Sequence, residues 1–241
     1  MTSEWFVDTP RGQARLHVDA VDDPRALLVL GHSAGGSVAA PDLQALATTV
    51  PRAGIAVVRV EQPYRVAGRR SPVPAAALDE AWIMAVAAAR ERVGADIPLV
   101  AGGRSSGARV AARTIEVTEA AGLLALAFPL VSPRGVSRQP ELDAVGVPVL
   151  VLQGERDRFG KPVPRPRRRV HLLAGADHAL RGSAAEVCVV ALGWLAELLE
   201  PLSDRHQAPV SGRPRSLRCS HRSGEEDQPA PARSPNRGGR R

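Results

Sequence analysis

Cysteine is nearly absent from this chain: Cys188 and Cys219 are the only two in 241 residues. Cys188 falls in an apolar, helix-patterned stretch and Cys219 in a polar one, so no disulfide framework is expected. No Cys/His spacing of the metal-binding kind occurs either, and no metal or other cofactor is expected. Aromatic residues are scarce, at 3% of the composition, which leaves Ala, Val and Leu to build the core. Long apolar runs are also missing. The stretch "AAGLLALAFPLV" has twelve residues, too few to span a bilayer, and "MTSEWFVDTPRG" lacks the apolar segment of a signal peptide. The expectation is a soluble, cytoplasmic protein with no membrane partner.

The net charge of +7 suggests a nucleic-acid binder until it is located along the chain. Residues 205–241 hold nine arginines against Glu225, Glu226 and Asp227, and the remainder carries about one net positive charge. This segment is rich in Pro, Gly, Ser and Arg and poor in large apolar residues. It cannot bury enough surface to offset the entropy of ordering. The division expected is one domain over residues 1–204 and a disordered tail over 205–241. A basic tail can touch nucleic acid weakly, but a solvated appendage is the plainer reading.

Within residues 1–204 two apolar periods alternate. "EWFVD" and "ARLHVDA" flank the turn "TPRG" and read as a β-hairpin. Strands are then predicted at 26–30, 54–60, 97–102, 122–128, 147–154 and 169–173, and helices at 41–50, 75–93, 106–120 and 183–199. Pro51 should stop the first helix, Pro201 the last, and "KPVPRPRRR" (161–169) leaves little room for a helix before the final strand. The Arg165–Arg169 run reads as a solvated loop. Continuous aliphatic strands separated by helices imply an α/β fold, a doubly wound and mostly parallel sheet with helices on both faces. Its functional loops then lie at the carboxyl ends of the strands.

Two stretches fit the G-x-S-x-G pattern of a serine nucleophile, "GHSAG" at 31–35 and "GRSSG" at 103–107. A nucleophile elbow needs a strand leading in, small residues two before and two after the serine, and a helix that begins at once. Ser105 meets all three. After Ser33 comes "AGGSVAAP", so the next helix starts too late; that segment suits a Gly-rich loop supplying an oxyanion N–H. A serine needs a base oriented by an acid. Asp157 and Glu155 follow the strand at 147–154, and the G-x-x-D spacing favours Asp157. Of six histidines, His206 and His221 lie in the tail, His17 in the hairpin, His171 in a strand and His32 in the Gly loop. His178, in "AGADHAL" before the last helix, has the position to complete the order Ser, Asp, His.

From about Glu4 to Leu199 the chain resembles the α/β-hydrolases, in particular the small dienelactone-hydrolase-like branch that includes the KANL/Tex-type hydrolase-like proteins. The resemblance rests on "LGHSAGG", "GIAVVRVEQPY", "GGRSSGARVA", "PVLVLQGERDRFG" and "LAGADHAL". It implies Ser105, Asp157 and His178 as a catalytic triad, with backbone N–H groups of Ser106 and of a residue near Ala34, on the Ser33–Ala34 loop, as the oxyanion hole. One departure is Ser33, where relatives commonly carry glycine.

The expected activity is cleavage of a small carboxylic ester or related acyl compound through an acyl-enzyme. Fewer than twenty residues separate Phe128 from Val147, too few for a large lid. Arg65, Arg69, Arg70 and Arg104 are candidates for the pocket mouth, which would favour an anionic substrate. The rival reading is a non-catalytic scaffold of the same fold that binds a protein or, through its tail, nucleic acid.

Overall fold

The aliphatic runs become strands where the pattern places them. In the computed structural model, which describes residues 2–206, β1 (Thr2–Thr9) and β2 (Gly12–Asp19) form the hairpin. They are followed by β3 (Ala26–Gly31), α1 (Pro41–Thr49), β4 (Ile55–Glu61), α2 (Pro63–Val66), α3 (Ala75–Val93), β5 (Leu99–Arg104) and α4 (Ser106–Arg113). The chain continues through β6 (Gly122–Leu126), α5 (Gln139–Asp143), β7 (Val149–Gly154), β8 (Arg168–Leu173) and α6 (Ala184–His206). The sheet order is β1-β2-β4-β3-β5-β6-β7-β8. The first two strands are antiparallel to their neighbours, and all pairings from β4 to β8 are parallel.

Strands of a parallel sheet must be apolar on both faces because helices cover both. β3 and β7 are accordingly buried along their whole length. One face packs Val29, Val58 and Leu123 against Leu78, Trp82 and Val86 of α3 and Val110 and Ala111 of α4. The other packs Leu28, Leu124 and Leu150 against Leu43 and Leu46 of α1 and Val187, Trp194 and Leu195 of α6. No helix among the described residues is long and apolar enough to cross a membrane.

The structure departs from the sequence pattern in four places. The helix predicted over 106–120 ends at Arg113, and residues 114–119 are turns. There the hydroxyls of Thr114 and Thr118 bond to the carbonyls of Val110 and Thr114 at 2.8 and 3.0 Å, the local competition that loosens a helix. The unforeseen α2 and α5 are single turns opening on Pro63 and on Gln139-Pro140. Proline costs nothing in a first turn, where its missing N–H would have no helical acceptor.

Arg168 is no solvated loop residue: it opens β8, is 5% exposed, and donates to Asp143 Oδ1 at 2.5 Å. Finally, α6 runs through Pro201 to His206; a proline removes one N–H bond and strains the turn before it, but the chain on either side remains helical here. Beyond His206, the segment expected to be disordered lies outside the described residues. The connection from β6 to β7 carries α5 and no inserted lid.

One contact sets the geometry of the site. Gly31, ending β3, is level with Gly103 of β5 in the parallel register, and α4 crosses directly over both. A Cβ on Gly107 would lie 2.3 Å from the Gly31 carbonyl oxygen, and one on Gly103 2.5 Å from the same atom. Gly107→Ala should therefore lower stability by about 1–3 kcal/mol, the usual range for overpacking, because the obstruction is backbone and cannot rotate away. Urea denaturation measures this, and an unchanged midpoint would mean that β3 and α4 do not approach so closely.

Candidate active site

Ser105 stands between the end of β5 and the first residue of α4. Its backbone has φ 52° and ψ −106°, a region that non-glycine residues avoid. The turn is held by the Ser105 N–H, which donates to the Leu126 carbonyl at 2.8 Å. Because α4 begins at Ser106, the Ser106 N–H is a first-turn donor with no intrahelical acceptor.

His178 lies in the loop after β8, and its Nε2 is 2.9 Å from Ser105 Oγ while its Nδ1 is 2.7 Å from Asp157 Oδ2. A carboxylate only accepts, so Nδ1 carries the proton and donates to Asp157. Nε2 is thereby left as an acceptor facing the serine hydroxyl, the arrangement a general base needs. The Phe159 ring meets the imidazole edge-on at 4.6 Å between centroids.

The Asp157 side chain is fully buried, and an uncompensated buried carboxylate is costly. Compensation is complete: Oδ1 accepts the Phe159 N–H at 2.9 Å, and Oδ2 accepts Gln153 Nε2 at 2.8 Å in addition to His178. Gln153 was not singled out by sequence reasoning, although it occupies the last side-chain position of β7 before Gly154. Its amide nitrogen faces three acceptors, Asp157 Oδ2 and the carbonyls of Phe128 and Gly160. Glu155, the other acid in this loop, instead accepts the Gly175 N–H at 2.9 Å. With the Arg156 N–H donating to the Ala176 carbonyl at 2.9 Å, it fastens the acid loop to the histidine loop.

The loop after β3 forms the adjoining wall of the cleft. Ser33, Ala34 and Ser106 all line it, and the N–H groups of Ser33 and Ala34 have no acceptor among the described residues. Ser33 does not take a positive φ, so a glycine is not required there.

Two side chains hold this loop by its carbonyls. Tyr64 donates its hydroxyl to the Ala34 carbonyl at 2.6 Å. His32, 3% exposed, donates from Nδ1 to the Ser33 carbonyl at 2.8 Å and accepts the Gln62 N–H on Nε2 at 3.1 Å. Burial pushes the His32 pKa below its ordinary value. Its charged form would also lose the acceptor that Gln62 needs.

The cleft has a volume of about 420 Å³, with Pro72, Val73, Leu78, Pro129 and Phe159 as its apolar lining. Of the arginines expected at its mouth, Arg65, Arg69 and Arg70 do not line it, and Arg104 does. Arg104 is spent on structure: its Nε lies 2.7 Å from Asp42 Oδ2, and Nη2 donates to the His178 carbonyl at 3.0 Å. Burial raises the Asp42 pKa against the opposing charge of Arg104. The other arginines that line the cleft, Arg109, Arg113 and Arg138, come from α4 and from the loop before α5. The sequence pattern gave no cue that these positions converge.

A family model described as an alpha/beta hydrolase domain matches residues 24–186. The chain belongs to the α/β-hydrolase family. Solved structures of the same fold include an alpha-beta serine hydrolase homologue from Coxiella burnetii, at 18% identity, TM-score 0.67, covering 81% of this chain and 99% of that one. A serine hydrolase from Xanthomonas campestris described as lacking a lid aligns at 19% identity and TM-score 0.65, over 83% of this chain and 94% of that one. Est1E from Butyrivibrio proteoclasticus aligns at 13% identity and TM-score 0.66, over 81% and 98%. No curated protein matches this chain. The small, lidless hydrolase architecture agrees with the dienelactone-hydrolase-like resemblance of the sequence.

His32 makes stability depend on pH. Its folded pKa is lowered, so on acidification the unfolded chain takes up the proton first, and stability falls as pH drops below about 6.5, the unfolded reference value. The His32→Asn variant should be less stable than wild type near neutrality by about 1–2 kcal/mol and should show a shallower loss between pH 7 and 5. Thermal melts across that range measure both, and equal slopes would remove His32 as a source of the pH dependence.

Proposed function

We propose that the protein is a serine hydrolase that cleaves small carboxylic esters through an acyl-enzyme, with Ser105, His178 and Asp157 as its triad. The observation carrying this reading is the continuous hydrogen-bond path from Ser105 Oγ through His178 to the buried Asp157. It starts from a serine held at positive φ. A non-catalytic scaffold would have no use for an imidazole and a fully buried carboxylate lined up on that serine.

In the reaction proposed, Ser105 Oγ attacks the ester carbonyl carbon while His178 Nε2 takes its proton. Asp157 keeps the imidazole oriented and stabilises its charged form. The oxyanion of the tetrahedral intermediate is received by the N–H groups of Ser106 and Ala34, on the Ser33–Ala34 loop, and the N-terminal end of α4 favours the negative charge. Collapse breaks the bond to the alcohol oxygen, which leaves with the proton from His178. A water deprotonated by His178 then attacks the acyl carbon, and Ser105 regains its proton as the acid departs.

Support for ester substrates comes from esterases of the same fold, including Thermogutta terrifontis esterase 2 and Est1E, one structure of which holds ferulic acid. The open cleft and the absence of a lid insertion favour small substrates over long-chain lipids.

A fluorophosphonate probe should label wild type at Ser105, fail to label Ser105→Ala, and still label Ser33→Ala. His178→Ala should lower kcat on a para-nitrophenyl ester by at least about 10³-fold. A labelled peptide containing Ser33 in place of Ser105, or an unchanged rate without His178, would overturn the assignment.

A further inference from the structure

The wall of the cleft contains more guanidinium groups than carboxylates to serve them. Arg109 grips Glu141 through Nε at 2.7 Å and Nη2 at 2.5 Å. Arg113 grips Asp79 through Nε at 2.9 Å and Nη2 at 2.5 Å, and its Nη1 lies 3.5 Å from Glu141 Oε2. Both oxygens of Glu141 are engaged by these two arginines, and Arg138, three residues earlier in the chain, forms no ion pair with it. Arg138 has no side-chain hydrogen bond and no ion pair within 4.0 Å among the described residues. It nonetheless lines the same cleft as Ser105 and His178.

An exposed arginine without a partner is ordinary, because water solvates it. Arg138 is only partly exposed, and burial together with the positive charges of Arg109 and Arg113 outweighs the pull of Glu141 and moves its pKa below the usual arginine value. It remains protonated at neutral pH. A part-desolvated cation beside two like charges is relieved by an incoming anion. The planar fork of a guanidinium suits a carboxylate in particular.

We propose that this cleft selects esters carrying a second, uncleaved carboxylate, which Arg138 holds while Ser105 attacks the ester carbonyl. Val73, Leu78 and Pro129 add an apolar lining to the same cleft, suited to a short methylene chain. The matching substrate class is the half-ester of a dicarboxylic acid. Hydrolysis breaks its acyl C–O bond, adds one water, and releases the alcohol and the dicarboxylate with one proton; the second carboxylate is unchanged. The ester part of this inference rests on the hydrolase reading above, and the anion site does not.

The test compares para-nitrophenyl hemiadipate with para-nitrophenyl hexanoate, equal in chain length and different in charge, on wild type, Arg138→Gln and Arg138→Lys. In Arg138→Gln the loss of kcat/KM should be about 10- to 100-fold greater for the charged ester than for the neutral one, the range for losing a hydrogen bond to a charged group. Arg138→Lys should recover part of the difference. Added salt should shrink the wild-type preference. Adipate itself should raise the Tm of wild type more than that of Arg138→Gln.

Equal losses on the two esters, or an adipate effect that survives in Arg138→Gln, would overturn the proposal. Failure to turn over either ester, with the Arg138-dependent adipate effect intact, would sink the hydrolase reading and leave the anion site standing.

Discussion

The backbone contact between Gly31 and Gly107 governs the rest of the site. Where β3 ends, α4 passes so close that no side chain fits between them, and the helix start sits directly on the carboxyl ends of the central strands. The loop after β3 and the turn before α4 therefore leave adjacent strands at the same level, since Gly31 and Gly103 are register partners. Gly31 of the first stretch meets Gly103 and Gly107 of the second at one tight crossing that leaves no room for Cβ atoms, whereas a Cβ on Gly35 would meet nothing within 4 Å. Only the second leads straight into a helix, and there the serine is forced to positive φ.

A nucleophile placed this way needs a base and an acid that arrive from two other strands. The structure achieves this by joining the loops after β7 and β8 before they reach Ser105. Strand pairing ends with Gly154 opposite Leu173. The contacts from Glu155 and the Arg156 N–H to residues 175 and 176 then extend the link into the loops. Gly154 packs under the Asp177 carbonyl, where a Cβ would come within 2.4 Å. The loops that carry the acid and the histidine are thus bonded directly to each other. Gln153 completes the link by donating to the same Asp157 oxygen that accepts from His178, so the buried charge is held by three donors that engage both carboxylate oxygens.

Much of this was legible because the informative signals are local. Five-residue aliphatic runs, the helix beginning at Ser106 and the G-x-x-D spacing to Asp157 each report geometry set within a few residues. What escaped was set by tertiary neighbours. Arg168 reads as part of a basic run, yet Asp143 and the Leu142 carbonyl, some 25 residues away in sequence, make it a buried structural cation. Arg109 and Arg113 read as the polar face of a helix, and nothing in their spacing announces Asp79 or Glu141 as partners. The anchoring roles of His32 and Tyr64 are equally hidden, because the Gln62 N–H that His32 accepts and the Ala34 carbonyl to which Tyr64 donates each lie 30 residues away in sequence, in a loop from another strand. Single-turn helices such as α2 and α5 carry too few residues to show a period.

The arginine network also bears on how a cleft without a lid keeps its shape. Isolated surface ion pairs contribute little, but bidentate pairs joined in a network hold geometry better. Here Arg113 ties α4 to α3 through Asp79, while Arg109 ties α4 to α5 through Glu141. α5 is one turn long and has a single buried apolar residue, Leu142, so packing alone anchors it weakly. The electrostatic tie to α4 compensates, and it fastens the segment bearing Pro133 and Arg138 to the helix that begins beside the nucleophile. Arg138 stands beside this network without an ion pair to Glu141 and lines the cleft. The wall that would recognise a substrate and the helix that would receive its oxyanion are therefore mechanically one element.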